Sequence, residues 1–340
     1  MEPLFLPAGL NQVELHAWLE GVKDQELAWT ADLIEFMEHW LKGDEIPTLT
    51  SGSTGAPKSI ELKKASMIRS AERTLSFLGI EGGKALLNLP ASKIGGRMMI
   101  VRALQGNLEL DILPPTENCP KGKSYALGAM TPHQLARQHK TGEVPGIRHV
   151  LVGGSALDRD LARAVMAWPV EIYETYGMTE TASHVALKKL GDDFFRCLEG
   201  IEISTDETGR LHIQVDGQIF ITNDTVEHMD EGQFRYQGRL DNAINSGGIK
   251  YFPEELEAEL GSVLEGDFFI HGEEDPELGQ RIVIVATDRK DQRVDLSEVL
   301  DRYAIPKRWY FVGQLRRTEN GKLDREATYL EAKGLNPSGS

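Results

Sequence analysis

Apolar positions recur along this chain in two rhythms, and the change between them marks its organisation. Residues 9–42 hold few helix breakers and read as helical. Lys63–Leu78 sets Ile68, Ala71, Leu75 and Leu78 at helical spacing. Short apolar runs then recur at Ala85–Leu89, Tyr125–Met130, His149–Val152 and Val170–Tyr173. Helix-like stretches, Pro132–His139 and Asp158–Ala167, separate several of them. Strands alternating with helices predict an α/β domain, layered around a parallel sheet. From about Gly200 the rhythm changes. Ile201–Ser204 and Leu211–Val215 flank Glu207-Thr208-Gly209 as a hairpin, and Ile219–Thr222 and Gln233–Gln237 read as further strands. A charged turn, Gly238-Arg239-Leu240-Asp241-Asn242, precedes a fresh α+β pattern: a helix at Pro253–Leu260, strands at Phe268–His271 and Ile282–Ala286, and a helix at Leu296–Tyr303. The expected division is a large domain over residues 1–240 and a small one over 241–340.

Composition narrows the classes of partner. The 340 residues are 40% hydrophobic and 26% charged, an ordinary globular balance. With 37 basic and 53 acidic residues the net charge is −16, and no basic block is present. Such a chain is a poor ligand for nucleic acid or an anionic membrane. Small anions remain possible ligands, because local amides and single cations override the global field. The two cysteines, Cys119 and Cys197, exclude a disulfide scaffold and suit a reducing compartment. No run approaches the roughly 18 apolar residues of a membrane span, and Met1-Glu2-Pro3-Leu4-Phe5 does not open a signal peptide. A cytoplasmic protein without membrane insertion is expected; its oligomeric state is left open.

The sharpest local signal is Thr50-Ser51-Gly52-Ser53-Thr54-Gly55-Ala56-Pro57-Lys58. Small residues let a loop aim several N–H groups and hydroxyls at one anion, and Lys58 adds a cation. A plain turn between two elements is the bland alternative. A Walker A loop is excluded, since that motif needs Gly before its Lys and Pro57, which has no N–H, stands there. Residues 51–58 do resemble the phosphate loop of adenylate-forming enzymes, the superfamily of acyl-CoA synthetases, peptide-synthetase adenylation domains and luciferases.

Further motifs continue the resemblance in order. Tyr176-Gly177-Met178-Thr179-Glu180-Thr181 resembles the second nucleotide motif. The resemblance implies that Tyr176 stacks on adenine, Thr179 meets the α-phosphate and Glu180 holds Mg²⁺. Val152-Gly153-Gly154-Ser155-Ala156 resembles the loop along the adenine, where glycines allow close approach. Thr222-Asn223-Asp224 resembles Thr-Gly-Asp, implying that Asp224 binds the ribose, with Asn223 in the glycine's place. Gly238 to Gly248 resembles the hinge motif, implying a ribose contact for Arg239, a pivot at Asp241, and approach of coenzyme A to Gly247 and Gly248. Pro253-Glu254-Glu255-Leu256-Glu257 continues it, and its Glu side chains read as a solvated helix face. Arg317-Thr318-Glu319-Asn320-Gly321-Lys322-Leu323-Asp324-Arg325 resembles the last motif, implying that Lys322 is catalytic.

Together these imply a large N-terminal domain of layered sheets and helices, a small mobile C-terminal lid, and AMP-forming ligation of a carboxylic acid to coenzyme A using ATP and Mg²⁺. The region ahead of the first loop is short for that lobe. Leu89-Pro90-Ala91-Ser92-Lys93-Ile94-Gly95-Gly96-Arg97, with Arg102 beyond it, gathers positive charge in an acidic chain. It reads either as a solvated helix start or as a site for a second substrate carboxylate. This segment resembles the compact o-succinylbenzoate–CoA ligases, whose acid is a dicarboxylate. The alternatives are another aryl- or acyl-CoA ligase and a nucleotide-binding relative that has lost catalysis. A hydride-transfer enzyme is disfavoured, since no Gly-x-Gly-x-x-Gly follows an early strand.

Overall fold

The computed structural model describes residues 3–50, 58–229, 232–317 and 323–335. The chain divides by contact into two units. The first comprises Met1–Glu202, Gln214–Phe220 and Asp230–Gln233; the second comprises Ile203–Ile213, Ile221–Met229 and Phe234–Ser340. Asp241, where the sequence reading divides the chain, lies inside the second unit.

The first unit opens with β1 (Leu4–Leu6) and two helices, α1 (Gln12–Lys23) and α2 (Ala31–Lys42). Asn11 starts α1 through a capping box: its side chain accepts from Val13 and Glu14 N–H, and Glu14 returns a bond to the Asn11 N–H. The helical stretch expected over 9–42 is therefore two helices. Glu26 at φ +48° lies in the break between them. In α2, Leu33, Phe36, Met37 and Trp40 form the buried stripe. A two-stranded ribbon follows, β2 (Glu45–Leu49) antiparallel to β3 (Ser59–Lys63).

Then come α3 (Lys64–Leu78), β4 (Gly83–Leu87), α4 (Ile94–Gln105), β5 (Leu108–Ile112), β6 (Tyr125–Met130), α5 (Pro132–Lys140), β7 (Ile147–Val152), α6 (Arg159–Met166), β8 (Glu171–Met178), β9 (Ser183–Lys189) and β10 (Phe195–Cys197). The strands lie in the order β1-β5-β4-β6-β7-β8-β9-β10. From β5 to β8 every pairing is parallel, as the alternating pattern predicts. β1, β9 and β10 pair antiparallel. Leu135 of α5 and Val165 of α6 pack with Leu86, Val150, Val152 and Ile172 of the sheet. α3 and α4 pack on each other, and α4 also packs on β4, β5 and β6. Residues Gly96 to Ala103 of α4 are all buried, the behaviour of an internal helix.

The remaining strands are β11 (Glu202–Thr205), β12 (Arg210–Val215), β13 (Gln218–Met229) and β14 (Gln233–Arg239), each hydrogen-bonded to the next. The rest of the second unit holds β15 (Ile244–Ser246), β16 (Ile249–Tyr251), α7 (Pro253–Leu260), β17 (Phe268–Asp275), β18 (Gly279–Ala286), β19 (Arg308–Phe311) and α8 (Arg325–Leu335). Its sheet runs β16-β15-β18-β17, with β19 parallel to β18. Strand alternation sorts this core in two. Ile270, Ile282, Ile284 and Trp309 pack with Leu256 and Leu260 of α7, whereas Phe269, Val283, Val285 and Tyr310 pack with Tyr329 and Ala332 of α8. The helix expected at Leu296–Tyr303 is not formed. A 3-10 turn, Leu296–Glu298, stands there, capped by Asp295. Leu296, Leu300 and Ala304 still reach the core, but so short a segment gains little from helix propagation, and Pro306 disfavours helical backbone at Ile305.

Candidate active site

Residues Ser51, Gly52, Ser53, Thr54 and Gly55 lie outside the described residues, but their frame is clear. Leu49 pairs with Ser59, and the Thr50 N–H donates to the Lys58 carbonyl at 2.8 Å. The residues flanking the loop are thus held together by the β2–β3 ribbon. Lys58, at its closing end, is exposed.

Two other motifs meet at the carboxyl ends of neighbouring parallel strands. Val152, the last residue of β7, pairs with Glu174 of β8. Gly153 thereby falls beside Thr175, next to Tyr176 and Gly177. The Thr175 hydroxyl donates to the Val152 carbonyl at 3.1 Å. A β-carbon on Gly153 would lie 2.3 Å from that hydroxyl oxygen. Gly154 takes φ +95°, and Ser155 is exposed just ahead of α6. Tyr176 packs one side against Phe195, with ring centroids 5.8 Å apart and a tilt of 59°, and stays partly exposed. Gly177 sits at an irregularity in the β8–β9 pairing, where a β-carbon would lie 2.4 Å from the Ser183 carbonyl oxygen.

Thr179 and Glu180 form the tip of the β8–β9 hairpin, half-buried. The Ala182 N–H donates to the Thr179 carbonyl at 3.0 Å, and the Thr181 hydroxyl accepts from Met178 N–H at 3.1 Å. The returning limb starts with two left-handed residues, Ala182 (φ +53°) and Ser183 (φ +90°).

In the second unit the structure brings Asp224, Arg239 and Asp241 together. Arg239 donates to Asp241 at 2.7 Å and approaches Asp224 at 4.0 Å. Asn223, standing where the family pattern has glycine, donates its amide to both Asp241 oxygens at 3.1 and 3.3 Å. Gly247 (φ +60°) and Gly248 (φ +84°) are the two-residue turn joining β15 to β16, a type I′ geometry that demands residues free of a β-carbon penalty.

Lys322 lies outside the described residues. Its loop is closed by a bridge between Arg317 and Leu323 and by the Asp324 N–H donating to the Arg316 carbonyl at 2.9 Å. Arg325 then clasps both oxygens of Glu257, and Ile270 N–H donates to the same carboxylate at 2.7 Å. This corrects the expectation of a solvated glutamate face on α7. Glu257 is turned inward, and Glu254 accepts from Asn242 at 2.6 Å. The partner that draws Glu257 in lies 68 residues away, beyond any local pattern.

Lys93, Arg97 and Arg102 do not form one cluster. Lys93 is the exposed N-cap position of α4. Arg97 is buried and committed to the backbone. It donates to Ala91 at 2.8 Å, to Thr48 Oγ1 at 2.9 Å and to the Pro47 carbonyl, and lies over the Phe36 ring. Arg102 is fully buried against His184, and burial pushes its pKa down to about 9. Sequence reasoning missed His184, Thr74 and Ser70 altogether. It also missed Gln134, whose side chain ties the loops after β4 and β5 by donating to Asn88 and Pro115 carbonyls. The Thr131–Gln134 capping box was the available signal for that residue.

Glycine turns set side by side at the carboxyl edge of a parallel sheet define a nucleotide-binding α/β protein. The AMP-binding enzyme family matches residues 20–226, and the chain belongs to it. It is 28% identical over 320 residues to a probable 2-succinylbenzoate–CoA ligase of Mycobacterium tuberculosis (strain CDC 1551 / Oshkosh), covering 82% of each. Its fold matches the crystal structure of an acyl-CoA synthetase (AMP-forming)/AMP-acid ligase II-like protein from Dyadobacter fermentans at 32% identity. The TM-score is 0.63, with 96% of this chain and 99% of that one covered. It also matches E. coli MenE with a bound analogue of OSB-AMS at 26% identity and a TM-score of 0.69, covering 85% of this chain and 69% of that one. Among the described residues no helix is long and apolar enough to cross a membrane.

Proposed function

We propose that the protein is an ATP-dependent, AMP-forming acid–CoA ligase working through an acyl-adenylate, with 2-succinylbenzoate as its acid. The observation that carries this reading is the meeting of the Gly153-Gly154-Ser155 turn with Thr175-Tyr176-Gly177 at the end of β8, at one sheet edge. They set glycine backbone beside the half-buried ring of Tyr176, a combination that suits a purine. The M. tuberculosis relative and the E. coli neighbour, by their names, support the choice of acid.

In the first half-reaction a substrate carboxylate oxygen attacks the α-phosphorus of ATP. An oxygen–phosphorus bond forms and pyrophosphate leaves. Two anions must meet, so the barrier is largely electrostatic. Lys58, Lys322 and the hydroxyls of Ser51, Ser53 and Thr54 would offset that repulsion, and Thr179 would hold the α-phosphate. Glu180 fits Mg²⁺, being a single part-exposed carboxylate at a turn. One carboxylate plus phosphates and retained waters is how this cation is usually held. When bound it would add positive charge against the phosphates. Asp224 and Arg239 would bind the ribose. In the second half-reaction, after rotation about Asp241, coenzyme A would pass Gly247 and Gly248. Its thiolate attacks the acyl carbon and AMP leaves. Of the three cations ahead of and within α4, Lys93 would meet the second carboxylate; Arg97 and Arg102 are bonded within the fold.

Turnover on 2-succinylbenzoate, benzoate and a medium-chain fatty acid, with ATP, Mg²⁺ and coenzyme A, tests the reading. The expected outcome is AMP, pyrophosphate and thioester, with kcat/KM for the dicarboxylate about 10-fold or more above the others, the worth of one charge-assisted contact. Equal turnover of all three removes the acid; no product from any removes the ligase.

A further inference from the structure

The strained start of β9 is braced by a buried polar chain, none of whose members is given a part in the reaction above. Ala182 and Ser183 both sit at positive φ, a conformation that L residues keep only when surrounding contacts over-determine it. Those contacts come from α3 and α4. The Ser70 hydroxyl donates to the Ala182 carbonyl at 2.8 Å. One helical turn on, Thr74 Oγ1 lies 2.9 Å from His184 Nε2, and Arg102 Nη2 lies 3.4 Å from His184 Nδ1. All four side chains are buried, with Arg102 1% and Thr74 0% exposed.

The guanidinium selects the tautomer. Arg102 can only donate, so the Nδ1 that faces it holds the lone pair and His184 carries its proton on Nε2. The Thr74 hydroxyl then accepts from Nε2, and its own proton is free for the Ser70 carbonyl at 2.9 Å. A neutral ring satisfies both neighbours; a charged one would set N–H against N–H. Burial, then the Arg102 charge, hold the His184 pKa well below its ordinary value. Arg102 Nε has no partner among the described residues. An apolar filling would pack this space without burying a guanidinium. What the polar chain adds is orientation, and what it orients is the hairpin whose tip is Thr179-Glu180.

We propose that Ser70, Thr74, Arg102 and His184 form a brace that holds the left-handed Ala182–Ser183 step, and through it Thr179 and Glu180, making His184 a positioning residue for adenylation. This rests on the function proposed above. A tip displaced by an ångström loses its aim at the phosphate while the acid pocket is untouched, so the loss falls on kcat.

Two measurements test it. Nitrogen-15 NMR of histidine-labelled protein near neutral pH should find His184 neutral with its proton on Nε2; a proton on Nδ1 overturns the proposal without any assay of turnover. ATP–pyrophosphate exchange should fall about 10- to 100-fold in kcat for T74V and H184L, with the KM for the acid within about 3-fold. H184Q, which offers one donor and one acceptor, should recover most of the rate. T74V is nearly isosteric and carries the test if H184L does not fold. Folded variants with kcat within about 2-fold of the unmodified protein, or a loss confined to KM, overturn the brace alone. Unmodified protein that exchanges pyrophosphate with no acid overturns the functional reading and the brace together.

Discussion

Gly153 and Gly177 are glycines for different physical reasons, and the difference is measurable. At Gly153 the obstacle to a β-carbon is the Thr175 hydroxyl, 2.3 Å away. At Gly177 it is backbone: the Ser183 carbonyl oxygen at 2.4 Å and His184 Cα at 2.5 Å. A side chain can be trimmed and backbone cannot. G153A should weaken nucleotide binding, and T175A added to it should restore part of the loss, a favourable coupling of about 1 kcal/mol between touching residues. G177A should cost more than about 2 kcal/mol of stability, unrelieved by T175A. Calorimetric titration with ATP and urea unfolding of G153A, T175A, G177A and the two double variants check both, and strict additivity at Gly153 would contradict the steric account. Asn223 shows where residue-level reading stopped short. The sequence marks it as a departure from Thr-Gly-Asp, but only the structure shows the replacement amide bonded to Asp241.

Elements were legible where burial leaves a continuous or periodic apolar trace, and illegible where a distant partner decides. β6 sits at the sheet centre and reads as an unbroken apolar run, and β7 beside it ends in one, Val150-Leu151-Val152. β5, Leu-Glu-Leu-Asp-Ile, carries the strand alternation, but its five residues stand in no longer run; what the sequence does not show is that Asp111 is buried, accepting from Tyr125 of β6 at 2.8 Å. α4 was obscured by its two arginines, which are internal. The second unit hides a further such centre. Glu273 of β17 is buried and accepts from Tyr310 at 2.7 Å and Tyr329 at 2.8 Å, with Arg281, Arg308 and Lys333 also close. Burial alone would raise its pKa, but these donors outweigh it and hold the pKa down to about 2. A depressed carboxylate contributes stability that is complete above its unfolded value and is lost as pH falls through the folded one. The ionised form is thus worth on the order of 3 kcal/mol near neutrality. The stability difference between the unmodified protein and E273Q should be largest near pH 7 and shrink from about pH 5 toward pH 2, by urea unfolding at each pH. A difference independent of pH would show that packing, not charge, is what Glu273 supplies.

At the scale of the whole molecule, a chain of net charge −16 is proposed to join two anions. Its long-range field opposes that encounter, so a few local cations must act at short range, where the site excludes water and the field of single groups dominates. Lys58 closes the loop of the first unit's ribbon. Lys322 belongs to a loop pinned at both ends within the second unit, by the Arg317–Leu323 bridge and by Arg325 on Glu257. Those anchors, Arg317, Leu323, Arg325 and Glu257, all follow Asp241 in the chain, so a rotation about Asp241 would deliver or withdraw the lysine together with them. K322A should then slow adenylation by roughly 10²–10³, the cost of one oriented donor at developing charge. Thioester formation from supplied acyl-adenylate should change little, because in the second pose the lysine has left the reaction centre. Pyrophosphate exchange and single-turnover thioester formation separate the two. Equal losses in both would mean that Lys322 stays at the centre throughout, with no rotation about Asp241 between the half-reactions.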